Sequence, residues 1–338
     1  MRRRRSTIPP TRCAGSSRSR RRTIWARWAI GSRTRNATER SVERAIADRA
    51  ILRTWPMRGT LHFVAAEDAR WMLELMTPRM VAGSAARLER EYGLDERAFG
   101  RSREVIARAM QGGRRLTRDA VYRMLENARI STRGGRGLHI LWRAAQDGLI
   151  CFGPREGKQP TFVLLEEWAP GSRRLPRREG LAELALRYFQ SHGPATVHDF
   201  AWWSGLPLAD AADALDLARA HLVSHDRDGR GYWSAPTTPG PTVGARAYLL
   251  PAFDEYTVAY RDRGDIVDPA RRMRSMDLLR PAIVLNGRVA GTWTRTLGRD
   301  SVEIDSRPFA RLGTSARRQV AAAARRYAAF LELRAHVS

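Results

Sequence analysis

Apolar residues recur at helical spacing through the first half of the chain, and short β-prone runs interrupt them. From Thr38 the segment TERSVERAIADR carries Val42, Ala45 and Ile46 on one face, which predicts a helix. Two β-prone runs follow at 51–55 and 60–64, separated by the turn sequence PMRG, and they predict a hairpin. A helix followed by a hairpin is the closing half of a winged helix. Residues after this hairpin, up to the Gly-Gly pair that ends at Gly113, read as helical throughout.

The clearest unit begins at Leu116 and contains four predicted elements in a fixed order. TRDAVYRMLENA predicts one helix, STRGGRG a glycine-rich turn, LHILWRAAQDG a second helix, and LICFG with TFVLLEEW two strands around the turn PREGKQP. Helix, turn, helix and hairpin in this order are typical of a winged helix. Helical spacing predicts that the second helix buries Leu138, Leu141, Trp142 and Ala145. The same spacing predicts that its outward stripe consists of Arg136, His139, Arg143 and Gln146.

The pattern repeats with LAELALRYFQSHG, ATVHDFAWWSG and PLADAADALDLARAHL as helices, followed by strands near 222–225 and 232–234. The last of these helices carries Asp210, Asp213 and Asp216 on one stripe, which phosphates would repel. We therefore expect this copy to pack against the rest of the protein. The pair Trp202-Trp203 is able to stack on bases, but its place among apolar residues favours a core position.

The last third of the chain changes from helices to strands. After a proline-rich spacer, AYLLPAF, YTVAYRD, AIVLNG, RVAGTWTRT and SVEIDSRPF predict five strands, and Asn286-Gly287 predicts a type I′ hairpin turn. These strands predict a small antiparallel β-barrel or sheet. The final segment SARRQVAAAARRYAAFLELRAHV predicts an amphipathic helix.

Together these elements predict an α+β, mostly helical fold with tandem winged-helix domains followed by a small antiparallel β-barrel. The five predicted segments are a disordered arginine-rich tail (1–23), a first winged helix with a helical extension and an incomplete N-terminal part (24–113), a second winged helix (114–178), a third winged helix (179–236), and a β-barrel domain with a C-terminal helix (242–338).

The composition favours a polyanionic partner. The 338-residue chain has a formal net charge of +25, so it concentrates anions at its surface. Lys158 is the only lysine, so the excess is almost pure arginine, and the alternative explanation for this excess is the codon bias of a GC-rich genome. We expect double-stranded DNA as the partner, with no membrane association, because no apolar run approaches the roughly 18 residues of a spanning helix. Cys13 and Cys151 have no metal-ligand spacing, so we expect no metal and no cofactor.

Five motifs make the chain recognisable: TWPMRGTLHFV, DGLICFG, SHGPATVHDFAWWSGL, LLPAFDEYTVAYRDR and VLNGRVAGTW, in this order. Over roughly residues 24–335 the chain resembles the AlkZ/YcaQ-like winged-helix DNA glycosylases. The resemblance implies winged helices arranged in a C around duplex DNA, followed by a β-barrel. It also implies removal of N7-alkylated purines, or unhooking of interstrand crosslinks, without metal or cofactor. Because the sequence has no membrane-length apolar run and no apolar stretch behind its basic start, we expect a cytoplasmic, nucleoid-associated protein, and because it has no heptad repeat we expect a monomer.

The catalytic signature of that family, Gln-x-Gln or Gln-x-Asp, is missing at the expected place. The matching stretch, 16–22, reads SSRSRRR, and the five glutamines of the chain lie far from it. One interpretation is a family member that kept DNA binding and lost its chemistry. The other is that the first codons are read in the wrong frame, so that residues 1–23 are mistranslated. A non-enzymatic DNA-binding protein or transcriptional regulator remains the alternative function, although the sequence has no obvious dimerisation helix.

Five residues are candidates for DNA contacts, and no catalytic residue can be assigned. The candidates are Arg136, His139 and Arg143 on the second helix of the clearest unit, with Arg155 and Lys158 at its hairpin tip. The alternative for the first three is an exposed polar helix face, and for the last two a solubilising loop.

Six further residues are candidates for lining a pocket. Arg58 and His62 lie in a segment that strongly resembles the family, although a lone histidine in a strand is more often packed. Asp254, Glu255, Tyr256 and Arg261 form the densest polar cluster after an apolar strand. For Asp254 or Glu255 the alternative role is structural pairing with an arginine.

Overall fold

The structure is a computed structural model, and it describes residues 16–237, 246–267 and 279–337. Its helices are α1 (Ser16–Gly31), α2 (Glu39–Ala47), α3 (Ala69–Tyr92), α4 (Glu96–Met110), α5 (Arg118–Asn127), α6 (Arg136–Gln146), α7 (Leu165–Trp168), α8 (Arg177–His192), α9 (Val197–Ser204), α10 (Leu208–Ala218), α11 (Glu255–Val258) and α12 (Thr314–Phe330). Its strands are β1 (Ile51–Met57), β2 (Thr60–Ala65), β3 (Leu116–Thr117), β4 (Ile150–Glu156), β5 (Gln159–Leu164), β6 (Val223–Arg227), β7 (Arg230–Ser234), β8 (Ala247–Leu250), β9 (Ala282–Leu285), β10 (Arg288–Leu297), β11 (Ser301–Pro308) and β12 (Arg334–Val337). The fold is therefore α+β as predicted, but roughly half of the described residues are helical, so "mostly helical" overstates the helix content.

Two hairpins from different predicted units join into one central sheet with the order β2-β1-β4-β5-β3. The strands β1 and β4 meet at Arg53 and Phe152, and each also pairs antiparallel with its own hairpin partner. The predicted hairpin at 51–64 is confirmed, with Arg58 and Gly59 both at positive φ in its turn. This sheet ties the first and second predicted units together.

The order of elements predicted for 114–178 is confirmed as α5, α6, β4 and β5. Thr117 caps the first turn of α5 by accepting a hydrogen bond from the Ala120 backbone N–H. Side chains of α4, α5 and α6 share one core with the central sheet, including Ile106, Leu125 and Ile140. The predicted strand TFVLLEEW is wrong in its second half, because the chain turns into α7 after Leu164.

The helices α8, α9 and α10 and the hairpin β6–β7 follow in the predicted order. Their core includes Phe189 and Phe200, and it extends to Met57 of β1 and Trp71 of α3. Because these apolar side chains come from distant segments, the third predicted unit packs directly against the first. Asp213 and Asp216 are exposed on α10, as the stripe predicted.

The C-terminal strands form a curled five-stranded sheet with the order β12-β11-β10-β9-β8. All neighbouring pairs are antiparallel except β11 and β12, which are parallel. Within the described residues β8 and β12 are not paired, so the sheet is an open half-barrel and the prediction of an antiparallel barrel is only partly met. Asn286 and Gly287 both have positive φ, as the predicted type I′ turn requires.

The N-terminal helices complete the core of this C-terminal sheet. Trp28 of α1 and Val42 of α2 pack with Trp293 and Tyr327, and the Trp28 indole N–H donates to the carbonyl of Leu249 at 2.6 Å. The predicted helix from Thr38 is confirmed, and Thr38 forms a capping box with Ser41. The beginning and the end of the chain therefore share one core.

Three further predictions need correction. YTVAYRD was expected to be a strand, but Asp254 caps a helical turn, α11, at that point. The final helix ends at Phe330, and the chain continues as the strand β12. Of the predicted disordered tail, residues 1–15 lie outside the described residues, whereas 16–23 are helical because α1 extends from a packed anchor through arginine, a good helix former.

The division into five domains stays a prediction, as does the winged-helix assignment of each unit. Among the helices of the described residues, none is long and apolar enough to cross a membrane.

Candidate active site

The faces predicted for α6 are partly confirmed, since Leu141 and Ala145 are buried, but two positions are wrong. Leu138, predicted to be buried, is 46% exposed, whereas Gln146, predicted to point outward, is 3% exposed. The helix α6 packs against both α3 and α4, so more of its circumference is buried than in a helix with one neighbour. The periodicity of apolar residues therefore did not locate the middle of the buried face correctly. The face that is buried consists of Gly137, Ile140, Leu141, Ala144, Ala145 and Gln146.

The three DNA-contact candidates on α6 are held by neighbouring groups of the protein. Arg136 donates to the carbonyl of Tyr92 at the end of α3, and the imidazole of His139 lies 4.3 Å from the Tyr92 ring. Burial lowers the pKa of His139. Arg143 forms a bidentate pair with Glu96, at 2.8 Å for both bonds, and also donates to Asp147. The hydrogen bond with Glu96 raises the pKa of Arg143. Binding of DNA by these residues stays a prediction.

The two candidates at the β4–β5 tip differ in their surroundings. Arg155 pairs with Glu43 at 2.6 Å and with Glu39 at 3.4 Å, so α2 holds it against the protein. Lys158 is exposed in the turn between β4 and β5. Within the described part of the chain no carboxylate lies within ion-pair distance of Lys158, which leaves it the more available of the two for a phosphate.

The pocket candidates Arg58, His62 and Glu255 lie close enough for their charges to interact. Together with His192 and Trp203 they form a group that we call the Glu255 cluster. Its members come from the β1–β2 hairpin, the end of α8, α9 and the start of α11. The packing of α8 and α9 against the first hairpin therefore builds the group.

Arg58 occupies the hairpin turn and donates a hydrogen bond to the carbonyl of Trp203. Burial lowers the pKa of the Arg58 guanidinium, while the nearby carboxylate of Glu255 opposes this shift. His62 is half-buried on β2, and its Nε2 lies 2.7 Å from the Thr60 hydroxyl. Burial lowers the pKa of His62 to about 4, so its imidazole is neutral at neutral pH.

Glu255 is the one carboxylate of the cluster. Its Oε2 accepts a hydrogen bond from the Trp203 indole N–H at 2.9 Å and lies 3.8 Å from Nε2 of His192. Burial by itself raises the pKa of a carboxyl group, but the interactions with His192, His62 and Trp203 outweigh it and lower the pKa of Glu255 to about 2. The carboxylate is therefore ionised at every pH at which the protein is expected to work.

Asp254 has a different role from its neighbour. Its carboxylate has no solvent exposure and receives both guanidinium N–H groups of Arg33, at 2.9 and 2.6 Å. It also accepts the backbone N–H of Tyr256 at 3.0 Å and so caps α11. The alternative of structural pairing with an arginine is thus observed for Asp254.

The remaining two pocket candidates point to other partners. The Tyr256 hydroxyl donates to the carbonyl of Gly287 at 2.6 Å, and burial raises the pKa of this phenol. Arg261 is exposed, its backbone N–H donates to Asp199 at 2.9 Å, and its guanidinium lies 3.4 Å from Nδ1 of His198. These two residues border the cluster in sequence but are held by different elements.

Aromatic residues lie next to the cluster. The ring of Tyr188 stacks on His192 with centroids 4.8 Å apart and lies 5.0 Å from Trp203. Trp202 was expected in the core, but 48% of it is exposed, and its indole N–H donates to the carbonyl of Val258 at 3.1 Å. Phe253, two residues before Glu255, is 64% exposed. Because Tyr188 is only 1% exposed, the half-buried Trp203 is the ring next to Glu255 that a ligand could contact. A carboxylate beside an indole favours a planar, positively charged ligand.

Cavities elsewhere offer less chemistry. One of about 450 Å³ is lined by Trp28, Tyr248 and Phe330 and by two arginines, and its lining among the described residues contains no carboxylate and no histidine. A second cavity, of about 360 Å³, is lined by Arg70, Glu74 and Asp147, and its lining among the described residues contains no aromatic ring and no histidine. Neither cavity combines a carboxylate with aromatic and histidine side chains, so the Glu255 cluster is the strongest candidate site.

Sequence reasoning missed three residues of this site. His192 and Arg33 did not stand out as site residues, and Trp203 was considered for base stacking but assigned to the core. His192 and Trp203 both fall inside the motif SHGPATVHDFAWWSGL. The motif was the available signal for these two. No sequence signal linked Arg33 to the site, because its partner Asp254 lies 221 residues further along the chain.

Comparisons with known proteins point in one direction. A family model described as DNA glycosylase AlkZ-like matches residues 22–330. A curated relative, the interstrand DNA cross-link repair glycosylase of Streptomyces sahachiroi, is 28% identical over 279 residues, which are 75% of this chain and 72% of the relative. The solved structure of Streptomyces sahachiroi DNA glycosylase AlkZ superposes with a TM-score of 0.72 at 24% identity, covering 93% of this chain and 89% of that one. At that identity the superposition establishes a common fold.

Proposed function

Since the chain belongs to the AlkZ-like family of DNA glycosylases, we propose that it cleaves the N-glycosidic bond of alkylated bases in double-stranded DNA. The proposed substrates are purines alkylated at N7, including those joined in interstrand crosslinks. The relative from Streptomyces sahachiroi is a cross-link repair glycosylase, which supports this substrate class.

The observation that carries the proposal is the partly exposed carboxylate of Glu255, held by the Trp203 indole N–H at 2.9 Å and lying 3.8 Å from His192. A purine alkylated at N7 is a cation, and the sugar becomes cationic as the glycosidic bond breaks. Negative charge and aromatic faces at the same place stabilise both. A site that binds a neutral base gains no such stabilisation from a carboxylate next to an aromatic ring.

Charge supports DNA as the partner. The net charge of +25 attracts a polyanion, and Lys158 at the β4–β5 tip is free to meet a phosphate. Helix, helix and hairpin occur in succession in α5–α6–β4–β5, an order that DNA-binding winged helices use. We propose that the protein binds duplex DNA as a monomer.

The test is base release from a defined duplex. A duplex with one N7-methylguanine is incubated with the protein, and abasic sites are converted to strand breaks and counted. We expect breaks at the modified position and none in an unmodified duplex of the same sequence. No release above the spontaneous rate, at enzyme in excess and low salt, would overturn the proposal.

A second candidate function is DNA binding without chemistry. The stretch SSRSRRR at 16–22 favours it, because arginines next to a developing oxocarbenium ion raise its energy. The same experiment separates the two candidates, since a pure binder retards the duplex in a gel but releases no base. Translating the other frames of the codons for 1–23 tests whether a Gln-x-Gln or Gln-x-Asp is encoded there.

A further inference from the structure

We propose that Glu255 is a catalytic carboxylate of this protein, which lies against the deoxyribose and stabilises the positive charge that develops on it as the glycosidic bond breaks. This inference rests on the proposed function and gives a named residue a role in it. It does not depend on the Gln-x-Gln or Gln-x-Asp signature.

The two carboxylate oxygens of Glu255 have different surroundings. Oε2 is fixed by the Trp203 indole N–H at 2.9 Å, with His192 at 3.8 Å. Among the described residues Oε1 has no hydrogen-bond partner, and 37% of the Glu255 side chain is exposed. One oxygen is therefore held in place while the other is open to a ligand. A group that stabilises a transition state needs this combination of fixed position and free acceptor.

The backbone that carries Glu255 is also held firmly. Asp254 caps the turn through the Tyr256 N–H and is itself clamped by both N–H groups of Arg33. Glu255 is the first residue of α11, directly after this clamp. Its position is thus fixed by the ion pair between Arg33 and the buried carboxylate of Asp254.

The basic partner nearest to Glu255 is His192, 3.8 Å from Oε2. Within the described residues no arginine or lysine lies within ion-pair distance of it, and Arg58, the nearby guanidinium, donates instead to the carbonyl of Trp203. His62 is neutral at neutral pH because burial lowers its pKa. The carboxylate thus has a histidine contact but no direct arginine or lysine partner, so a cation that enters the cluster is attracted to its open oxygen.

The ionisation of Glu255 favours electrostatic stabilisation of the transition state over general-base catalysis. A general base works best when its pKa is near the working pH, and a carboxylate with a pKa of about 2 is a poor proton acceptor. Such a group is suited to electrostatic stabilisation, because it keeps its charge throughout the reaction. Glu255 thus acts as a fixed negative charge, and the proton of the attacking water leaves to solvent.

The reaction balances without a cofactor. The bond between C1′ and N9 breaks, and its electron pair leaves with the purine, which cancels the positive charge of the N7-alkylated ring. The oxygen of water forms a new bond to C1′, and one proton of that water is released to solvent. A cationic nucleotide and water thus give a neutral free base, an abasic sugar and a proton.

A purely structural role for Glu255 makes a different prediction. In that case its hydrogen bond with Trp203 merely joins α11 to α9, and loss of the charge alters stability and DNA binding together with any activity. If Glu255 acts on the transition state, loss of the charge slows excision while binding to the polyanion stays equal or becomes tighter.

The experiment compares Glu255→Gln with Glu179→Gln. The first substitution keeps the shape and the acceptor for the Trp203 N–H but removes the charge. The second removes one carboxylate of the same type from an exposed site at the opposite end of α8 from His192. Single-turnover excision of N7-methylguanine and the dissociation constant for an unmodified duplex are measured for both variants and for the unsubstituted protein.

We expect Glu255→Gln to slow single-turnover excision about 100-fold or more, with duplex binding unchanged or tighter, and Glu179→Gln to resemble the unsubstituted protein in both measurements. Equal excision rates for Glu255→Gln and the unsubstituted protein would overturn the role of Glu255 and leave the proposed function intact. Weaker duplex binding in proportion to the lost rate would also overturn it, in favour of the structural role. No excision by the unsubstituted protein would overturn the proposed function itself, and this inference with it.

Discussion

Replacing Arg33 by alanine tests the clamp that holds the candidate active site. The substitution leaves the buried carboxylate of Asp254 without its bidentate partner, and the backbone N–H of Tyr256 remains as its donor. Breaking a buried ion pair by removing one partner costs about 3–5 kcal/mol. Here Arg33 itself is 46% exposed, so water can enter its place and solvate part of the charge. We therefore expect the free energy of unfolding to fall by about 2–3 kcal/mol.

Urea unfolding followed by tryptophan fluorescence measures this loss. Arg35→Ala is the matched control, since Arg35 is an exposed arginine two residues further on, and a change within about 0.5 kcal/mol is expected for it. Adding Asp254→Asn to Arg33→Ala removes the charge that lost its partner. The double variant should therefore be less destabilised than the sum of the two single variants.

Two results would refute this reasoning. If Arg33→Ala is as stable as Arg35→Ala, the buried pair contributes nothing to the free energy of unfolding. If the effects of Arg33→Ala and Asp254→Asn simply add, the two side chains are not coupled, and the clamp does not hold the start of α11.

Two further predictions concern pH and salt. Burial lowers the pKa of His62 from 6.5 to about 4. Between pH 6.5 and pH 4 His62 is therefore protonated in the unfolded chain but neutral in the folded protein, so the free energy of unfolding falls as the pH falls. At pH 5 the loss of unfolding free energy that His62 causes is about 2 kcal/mol at most. The unfolding free energy of His62→Gln should therefore decrease less between pH 7 and pH 5 than that of the unsubstituted protein. An equal decrease in both proteins would contradict the lowered pKa of His62. Lys158→Ala should reduce the slope of log K for DNA binding against log salt by about 1, whereas Arg143→Ala should change it less because two carboxylates already hold Arg143. Equal effects of the two substitutions would show that the ion pairs of Arg143 open on DNA.

The order of the elements could be predicted from the sequence because it depends on local physics. The apolar spacing after Thr38 and the capping hydroxyl define α2, and Asn286-Gly287 defines a turn between two β-prone runs. Such signals lie within a few residues of the structure that they specify. The family resemblance came from the same source, as five motifs in a recognisable order.

Local signals failed where a residue's environment comes from elsewhere in the chain. YTVAYRD has the composition of a strand, but the clamp between Asp254 and Arg33 makes its first residues a helical turn. Leu138 and Gln146 of α6 were assigned to the wrong faces because that helix is covered on more than one side, and a periodicity marks only one buried face.

For the candidate site, the sequence by itself determined that Arg58, His62 and Glu255 belong to motifs of one family. Only the tertiary structure decided that these three lie together, with His192 and Trp203 around one carboxylate. The physical reason is that charges and hydrogen bonds act over a few ångströms of space, and the packing of distant segments sets those distances. The ionisation of Glu255 is therefore a property of the folded protein, whereas the turns and helix caps around it are properties of short stretches of sequence.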